Sequence, residues 1–310
     1  MANATLPLPV LEPRGNGLLE RLEGRPFPYL LIAPMMIALI LVGLVPFLYT
    51  IYLSLQETQF TRVEGFAGLA NYQALLTDGE FWTSMLGTTV IVMIAVPLQL
   101  ILGVTFALMF SRGVFAGRVL SPALLIPSVI APAVAGIVWK IMLAPSWGIF
   151  TYEVIERFDL LPGTSIFSQG WSAVGAIILI DIWQWTPFVT LAVFAGLQAL
   201  PQGPYRAAAV DGAPRWHVLR YITLPGILPI VAVLLLIRVI DTFKIFDTIY
   251  MLTGGGPNDA TQTVSIFLYK GVFDYYEVGL AAAAAVIVFL LFFVLASWTY
   301  RLFTKTLRLF

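Results

Sequence analysis

The sequence predicts an all-α integral membrane protein with six transmembrane helices, and three observations carry the prediction. Hydrophobic residues make up 59% of the chain and charged residues 11%, with a mean hydropathy of +0.91. A soluble domain runs at roughly 45–50% and 25%. Apolar runs of spanning length recur along the chain, each long enough for the about 20 residues that a hydrocarbon core requires. Lys and Arg are concentrated in alternate connections, as insertion bias demands. Six crossings and their loops account for the 310 residues, so one membrane domain is expected and a soluble domain of ordinary size does not fit.

Residues 1–27 read as a tail of mixed composition, with Pro7, Pro9, Pro13, Gly15 and Gly17 among Arg14, Arg21 and Arg25, and a surface helix is expected near Leu18 to Leu22. Residues 28–310 form the transmembrane domain. The first apolar run, Pro28 to Leu55, exceeds the core of a signal peptide and has no small-residue cleavage site close behind it, so it is expected to remain as an anchor. Further runs follow at Trp82 to Phe110, Val119 to Leu143, Ser172 to Leu200, Gly226 to Leu252 and Gly279 to Phe303. Pro46, Pro97, Pro127, Pro132 and Pro187 lie inside them and predict kinks, tolerated where neighbours satisfy the freed carbonyls. Ala281 to Ala285 is a small-residue face suited to close helix contact.

Orientation follows from the basic residues. Arg14, Arg21, Arg25, Arg112, Arg118, Arg206, Arg215, Arg220, Arg301, Lys305 and Arg308 fall on one side. Only Arg62, Arg157 and Lys270 fall on the other, among acids such as Glu57, Glu80, Glu153 and Asp274. Both termini and the 201–225 loop are therefore expected in the cytoplasm.

That loop, PQGPYRAAAVDGAPRWHVLRYITLP, is a polar interval between two apolar runs. Its alanines favour a helix, Gly212 supplies a left-handed stop, and Pro214 stands where a second helix begins. Two short helices meeting at a corner are predicted. The second carries Trp216, Leu219 and Ile222 at i, i+3 and i+6, which suits a helix lying along a membrane face or in a partner's groove.

In Ala207, Ala208, Asp211, Gly212, Ala213, Ile222, Leu224 and Pro225 the chain resembles the permease subunits of ATP-binding-cassette importers, in the carbohydrate-uptake branch. Weaker similarity extends from about Leu31 to the last span. Arg206 departs from the pattern, standing where the family carries Glu. The resemblance implies a type I importer transmembrane fold in a bacterial inner membrane. It also implies a loop that docks into a cleft of a separate ATPase through Tyr205, Arg206, Ala207, Ala208, Asp211, Gly212, Ala213 and Trp216. The implied partners are a second permease subunit, a homodimeric ATPase that binds ATP and Mg²⁺, an extracytoplasmic solute-binding protein and a sugar-like substrate. No cofactor is expected in this chain.

Charges within the spans bear on mechanism, because one at mid-bilayer costs roughly 2.5–3.5 kcal/mol on insertion scales. Lys140 lies near a span end, where it can snorkel. Asp181 shares a helical stripe with Gln184 and Trp185. Arg238, Asp241, Lys244 and Asp247 alternate in sign at three-residue intervals, a ladder able to neutralise itself along one helix. Asp241 and Thr242 admit two readings, one lining a substrate path and one satisfied by neighbouring helices. Trp183 and Trp185 beside Gln184 suit stacking on a sugar ring, and they equally suit a membrane interface. The expected substrate path comprises Asp181, Gln184, Trp185, Asp241, Thr242 and Lys244.

Several classes are excluded. Net charge is zero, giving no nucleic-acid footprint. Cys is absent, and the one histidine, His217, lies in the 201–225 loop, so no His-based metal or catalytic centre forms within the membrane. The 253–259 stretch, TGGGPND, lacks the Gly-Lys-Ser/Thr ending of a phosphate-binding loop. An ion-coupled secondary transporter using the fifth-span charges is the alternative. Against it stand the absence of a half-repeat and the presence of a partner-docking loop.

Overall fold

The computed structural model describes residues 27–60, 62–111, 120–145, 147–156 and 165–307. The expected surface helix at 18–22 and the basic residues Arg14, Arg21, Arg25, Arg112, Arg118, Arg157 and Arg308 lie outside them. The chain divides into two compact units after Tyr52.

The first unit is helical, with α1 (Phe27–Leu39) continuing through a widened turn at Ile40–Leu44 into α2 (Val45–Ser54). The widening has a cause in Pro46. A proline has no N–H, and its ring presses on the carbonyl four residues back, here Val42, so one turn opens rather than the helix ending. Apolar side chains such as Leu31, Met35, Val42 and Leu48 are exposed along this run, which suits contact with lipid.

The second unit begins with a hairpin of β1 (Gln56–Gln59) and β2 (Arg62–Phe66), then α3 (Ala70–Thr77) and the long α4 (Gly79–Ser111). The third crossing is two helices, α5 (Leu120–Val129) and α6 (Pro132–Met142). Pro132 does more than the kink expected of it. A residue before proline is pushed out of the α region, and Ala131 is extended at φ −59°, ψ 135°, so the span is broken. Next come α7 (Gly170–Gln198) and α8 (Gly203–Val210), then α9 (Arg215–Val218), a widened turn at Leu219–Thr223 and α10 (Leu224–Phe243). The chain ends with α11 (Asp247–Leu252), α12 (Val264–Phe273) and α13 (Val278–Leu307).

Among the described residues four runs are long and apolar enough to cross alone: Leu31–Ser54, Gly79–Ser111, Gly170–Gln198 and Arg215–Leu252, the last interrupted at 244–246. The broken α5–α6 pair and the 30-residue α13 supply the other two crossings. The second helix of the loop at 201–225 runs without interruption through the widened turn into the fifth crossing. Pro225 again widens the turn before it and lets the helix run on. A short helix, α12, stands where only a loop was expected between the fifth and sixth crossings.

Packing concentrates where α4, α7 and α10 meet. One apolar cluster joins Val92, Val96 and Leu100 to Val189, Val193, Ile227 and Leu234, and a second joins Ile91 and Ala95 to Ile177, Ile180, Ile249 and Ile266. The glycine-rich stretch before α12 is fastened to α4 by polar contacts. Lys270 Nζ donates to Asp259 (2.9 Å) and to Gln262 Oε1 (2.6 Å), while Gln262 Nε2 donates to Glu80 (2.6 Å) and to Ser84 (3.2 Å).

Candidate functional site: a polar pocket and a docking corner

Two breaks in the helices define the pocket. At the first, between α5 and α6, the Ile130 carbonyl loses its helical partner and accepts instead from Gln184 Nε2 on α7 at 2.9 Å. At the second, between α10 and α11, the Ile245 carbonyl accepts from Thr263 Oγ1 at 3.2 Å. Freed backbone groups are thus satisfied by side chains, as an interior without water requires. The two broken crossings also touch. Gly136 on α6 lies so close to α11 that an added Cβ would stand 2.8 Å from the Thr248 carbonyl, and Thr248 Oγ1 donates to the Pro132 carbonyl at 3.3 Å.

Beside these breaks, α4, α7 and α10 each contribute to one buried polar cluster. Arg238, 1% exposed, donates from Nε to Gln99 Oε1 (2.9 Å) and from Nη2 to Thr242 Oγ1 (2.9 Å). Its Nη2 also stands 3.5 Å from Asp181 Oδ2 in a salt bridge. Gln99 Nε2 donates to that same carboxylate oxygen at 2.6 Å, and Thr242 Oγ1 lies 3.4 Å from it. The guanidinium sits over the Trp185 ring, 4.6 Å from its centroid. Each favourable contact offsets desolvation that would otherwise expel the pair. Arg238 Nη1 is buried without a hydrogen-bond partner among the described residues, at 3.8 Å from Asp241 Oδ2.

A pocket of about 270 Å³ adjoins the cluster, lined by Pro132, Asp181, Trp185, Arg238, Asp241, Lys244 and Ile245 to Thr248. Of the residues expected on the substrate path, Asp181, Trp185, Asp241 and Lys244 line this pocket together. Gln184 and Thr242 have other tasks. Gln184 caps the α5–α6 break, and Thr242, 1% exposed, belongs to the buried cluster.

The self-neutralising ladder of the fifth crossing holds only in part. Asp241 pairs with Lys244 at 3.5 Å and with Arg238 at 3.8 Å, Arg238 also reaches Asp181 on another helix, and the helix breaks before Asp247, which opens α11. Gln99 went unnoticed in the sequence, although an amide two residues after Pro97 in an apolar run was a signal available there. Trp183 faces Trp139 edge-on at 5.3 Å and contributes nothing to the pocket lining.

At the far end of α7 the corner forms as the sequence implied. Gly212 has φ +66°, and Pro214 caps α9 in an extended conformation. Asp211 N donates to the Ala207 carbonyl (3.0 Å) and Ala213 N to the Ala208 carbonyl (2.9 Å), closing α8. Tyr205 OH donates to Thr223 Oγ1 at 3.1 Å and ties α8 to the base of the fifth crossing. Ala208 is buried, and Tyr205, Ala208, Ala213 and Arg215 line a cavity of about 450 Å³ with the ends of α4 and α7. Arg206, Ala207, Asp211 and Trp216 are exposed, as is Val210 at 88%. The corner therefore presents two apolar side chains flanked by charge.

Broken crossings beside a polar pocket, with an exposed corner between two crossings, fit a membrane transport subunit. The chain belongs to the family of binding-protein-dependent transport system inner membrane components, whose pattern matches residues 99–309. It is a multi-pass membrane permease and not the nucleotide-hydrolysing subunit.

The trehalose/maltose transport system permease protein MalF of Thermococcus litoralis is 35% identical over 291 residues, covering 92% of this chain and 95% of the relative. The trehalose transport system permease protein SugA of Mycobacterium tuberculosis is 35% identical over 273 residues, covering 87% and 86%. In fold, the chain matches a crystal structure of a bacterial alginate ABC transporter in complex with an alginate pentasaccharide-bound periplasmic protein. The TM-score is 0.76 at 20% identity, over 91% of this chain and 95% of that one.

Proposed function

We propose that this chain is one permease half of an ATP-driven importer for a sugar or sugar-like solute. It pairs with a second permease subunit and receives solute from an extracytoplasmic binding protein. A homodimeric ATPase, which binds the ATP and Mg²⁺, engages the 201–225 loop on the cytoplasmic side, where both termini also lie. The solute passes the pocket beside Asp181, Trp185, Asp241 and Lys244. The observation that carries this reading is the corner at Gly212, which buries Ala208 while holding Arg206, Val210, Asp211 and Trp216 outward on a short rigid support. Relatives named for trehalose and maltose transport support the substrate class. The ion-coupled alternative loses its motive, since Arg238 and Asp181 are occupied with one another and with Gln99.

Uptake into proteoliposomes tests the reading. With the four partner chains present, accumulation of labelled trehalose or maltose is expected to require ATP on the cytoplasmic side and to survive ionophores that collapse proton and sodium gradients. Uptake driven by an ion gradient in vesicles holding this chain alone would establish the secondary transporter instead.

A further inference from the structure

We propose that the pocket selects an uncharged polyhydroxylated solute over an anionic sugar derivative, with Asp247 as the residue that sets this preference. The inference rests on the pocket being the substrate path. Five charged side chains line it, Asp181, Arg238, Asp241, Lys244 and Asp247. Four of them neutralise in pairs: Arg238 with Asp181 across two helices at 3.5 Å, and Lys244 with Asp241 along one helix at 3.5 Å. Asp247 is exposed and has no cationic partner among the described residues. What this chain offers a solute is therefore one net negative charge.

Hydrogen-bonding capacity points the same way. Arg238 Nη1 is a buried donor without a partner, and an orphaned charged donor is costly unless something in the pocket accepts from it. A hydroxyl or ring oxygen can accept there, while the carboxylates of Asp241 and Asp247 accept from neighbouring hydroxyls. A carboxylate, phosphate or sulfonate on the solute would find both cations of the lining already neutralised, Arg238 by Asp181 and Lys244 by Asp241, with the unpaired Asp247 carboxylate in the same small space. Trp185 gives a ring face beside these groups, although the guanidinium covers part of it at 4.6 Å.

The test compares maltose with maltobionate, which is close in size and carries one carboxylate. Equilibrium binding of each radiolabelled compound is measured on the purified assembly of both permeases and the ATPase, without the binding protein, so that only the membrane site discriminates. Maltose is expected to bind on the order of tenfold to hundredfold more tightly, the range for like charges several ångströms apart at a partly solvated site. Asp247→Asn should shrink the ratio and Asp247→Lys should abolish or reverse it. Maltobionate binding as well as maltose in the unaltered assembly, or a preference for maltose that Asp247→Lys leaves intact, overturns the proposal. If neither compound binds while ATP-dependent uptake of maltose is retained, the substrate path lies elsewhere and the underlying reading falls with it.

Discussion

Replacing Arg238 by Met is expected to cost about 3–5 kcal/mol of stability, the penalty for breaking a buried ion pair from one side. The residue is 1% exposed and Asp181 is 3% exposed, so the change strands a carboxylate in the bundle with only Gln99 and Thr242 for company. Three crossings lose a common tie, because Gln99 is on α4, Asp181 on α7 and Arg238 on α10. Size-exclusion yield and thermal unfolding of the purified assembly measure the effect. The double variant Arg238→Met with Asp181→Asn removes both charges together, and most of the lost stability should return. If the single variant keeps full yield and thermal midpoint, the cluster does not hold the bundle together.

The second large effect is on coupling. Gly212 sits at φ +66°, and an added Cβ would meet nothing within 4 Å, so any penalty on a side chain there comes from backbone conformation alone. A β-branched residue in the left-handed region costs roughly 1–2 kcal/mol, whereas Asn tolerates it. Gly212→Val should therefore swing α9 away from α8 and displace Val210 and Trp216 from a common surface. Gly212→Asn should not. Substrate-stimulated ATP hydrolysis in the reconstituted importer is expected to fall about tenfold in the Val variant, the factor that 1.4 kcal/mol corresponds to, with the Asn variant near the unaltered rate. Equal stimulation in all three would remove the corner from the coupling step.

These two sites differ in how far the sequence revealed them. The corner was legible because its determinants are local: a run of alanines, a glycine that alone accepts positive φ, and a proline that starts a helix. The spans were legible for the same reason, since each reports its own hydropathy. The pocket was legible only in part. Asp181, Trp185, Asp241 and Lys244 stand out as polar or aromatic groups in apolar runs, and the spacing along the fifth crossing gives the Arg238–Asp241 pair, 3.8 Å apart, but not the partners of Arg238 on other helices. Those partners, Asp181 and Gln99, stand 57 and 139 residues away in the chain, and no periodicity encodes such a pairing.

The breaks in the third and fifth crossings were equally hard to place. Pro132 signalled a disturbance, yet whether a helix kinks or parts depends on a neighbour able to take the freed carbonyl, here Gln184. Helix α12 is not legible because a largely apolar run of ten residues is too short to span, and a run of that length reads as loop or buried segment alike.

The pocket as the route of the solute is tested most directly by substrate protection at Lys244. The natural chain has no cysteine, so Lys244→Cys introduces a single thiol at a pocket-lining position that is 63% exposed. A second single-cysteine variant at Tyr275, exposed and outside the pocket, serves as the control. In a purified assembly whose partner chains also lack cysteine, saturating sugar is expected to slow thiol modification at position 244 several-fold and to leave position 275 unchanged. Identical rates at position 244 with and without sugar, in an assembly that still accelerates ATP hydrolysis in response to that sugar, would contradict passage through this pocket.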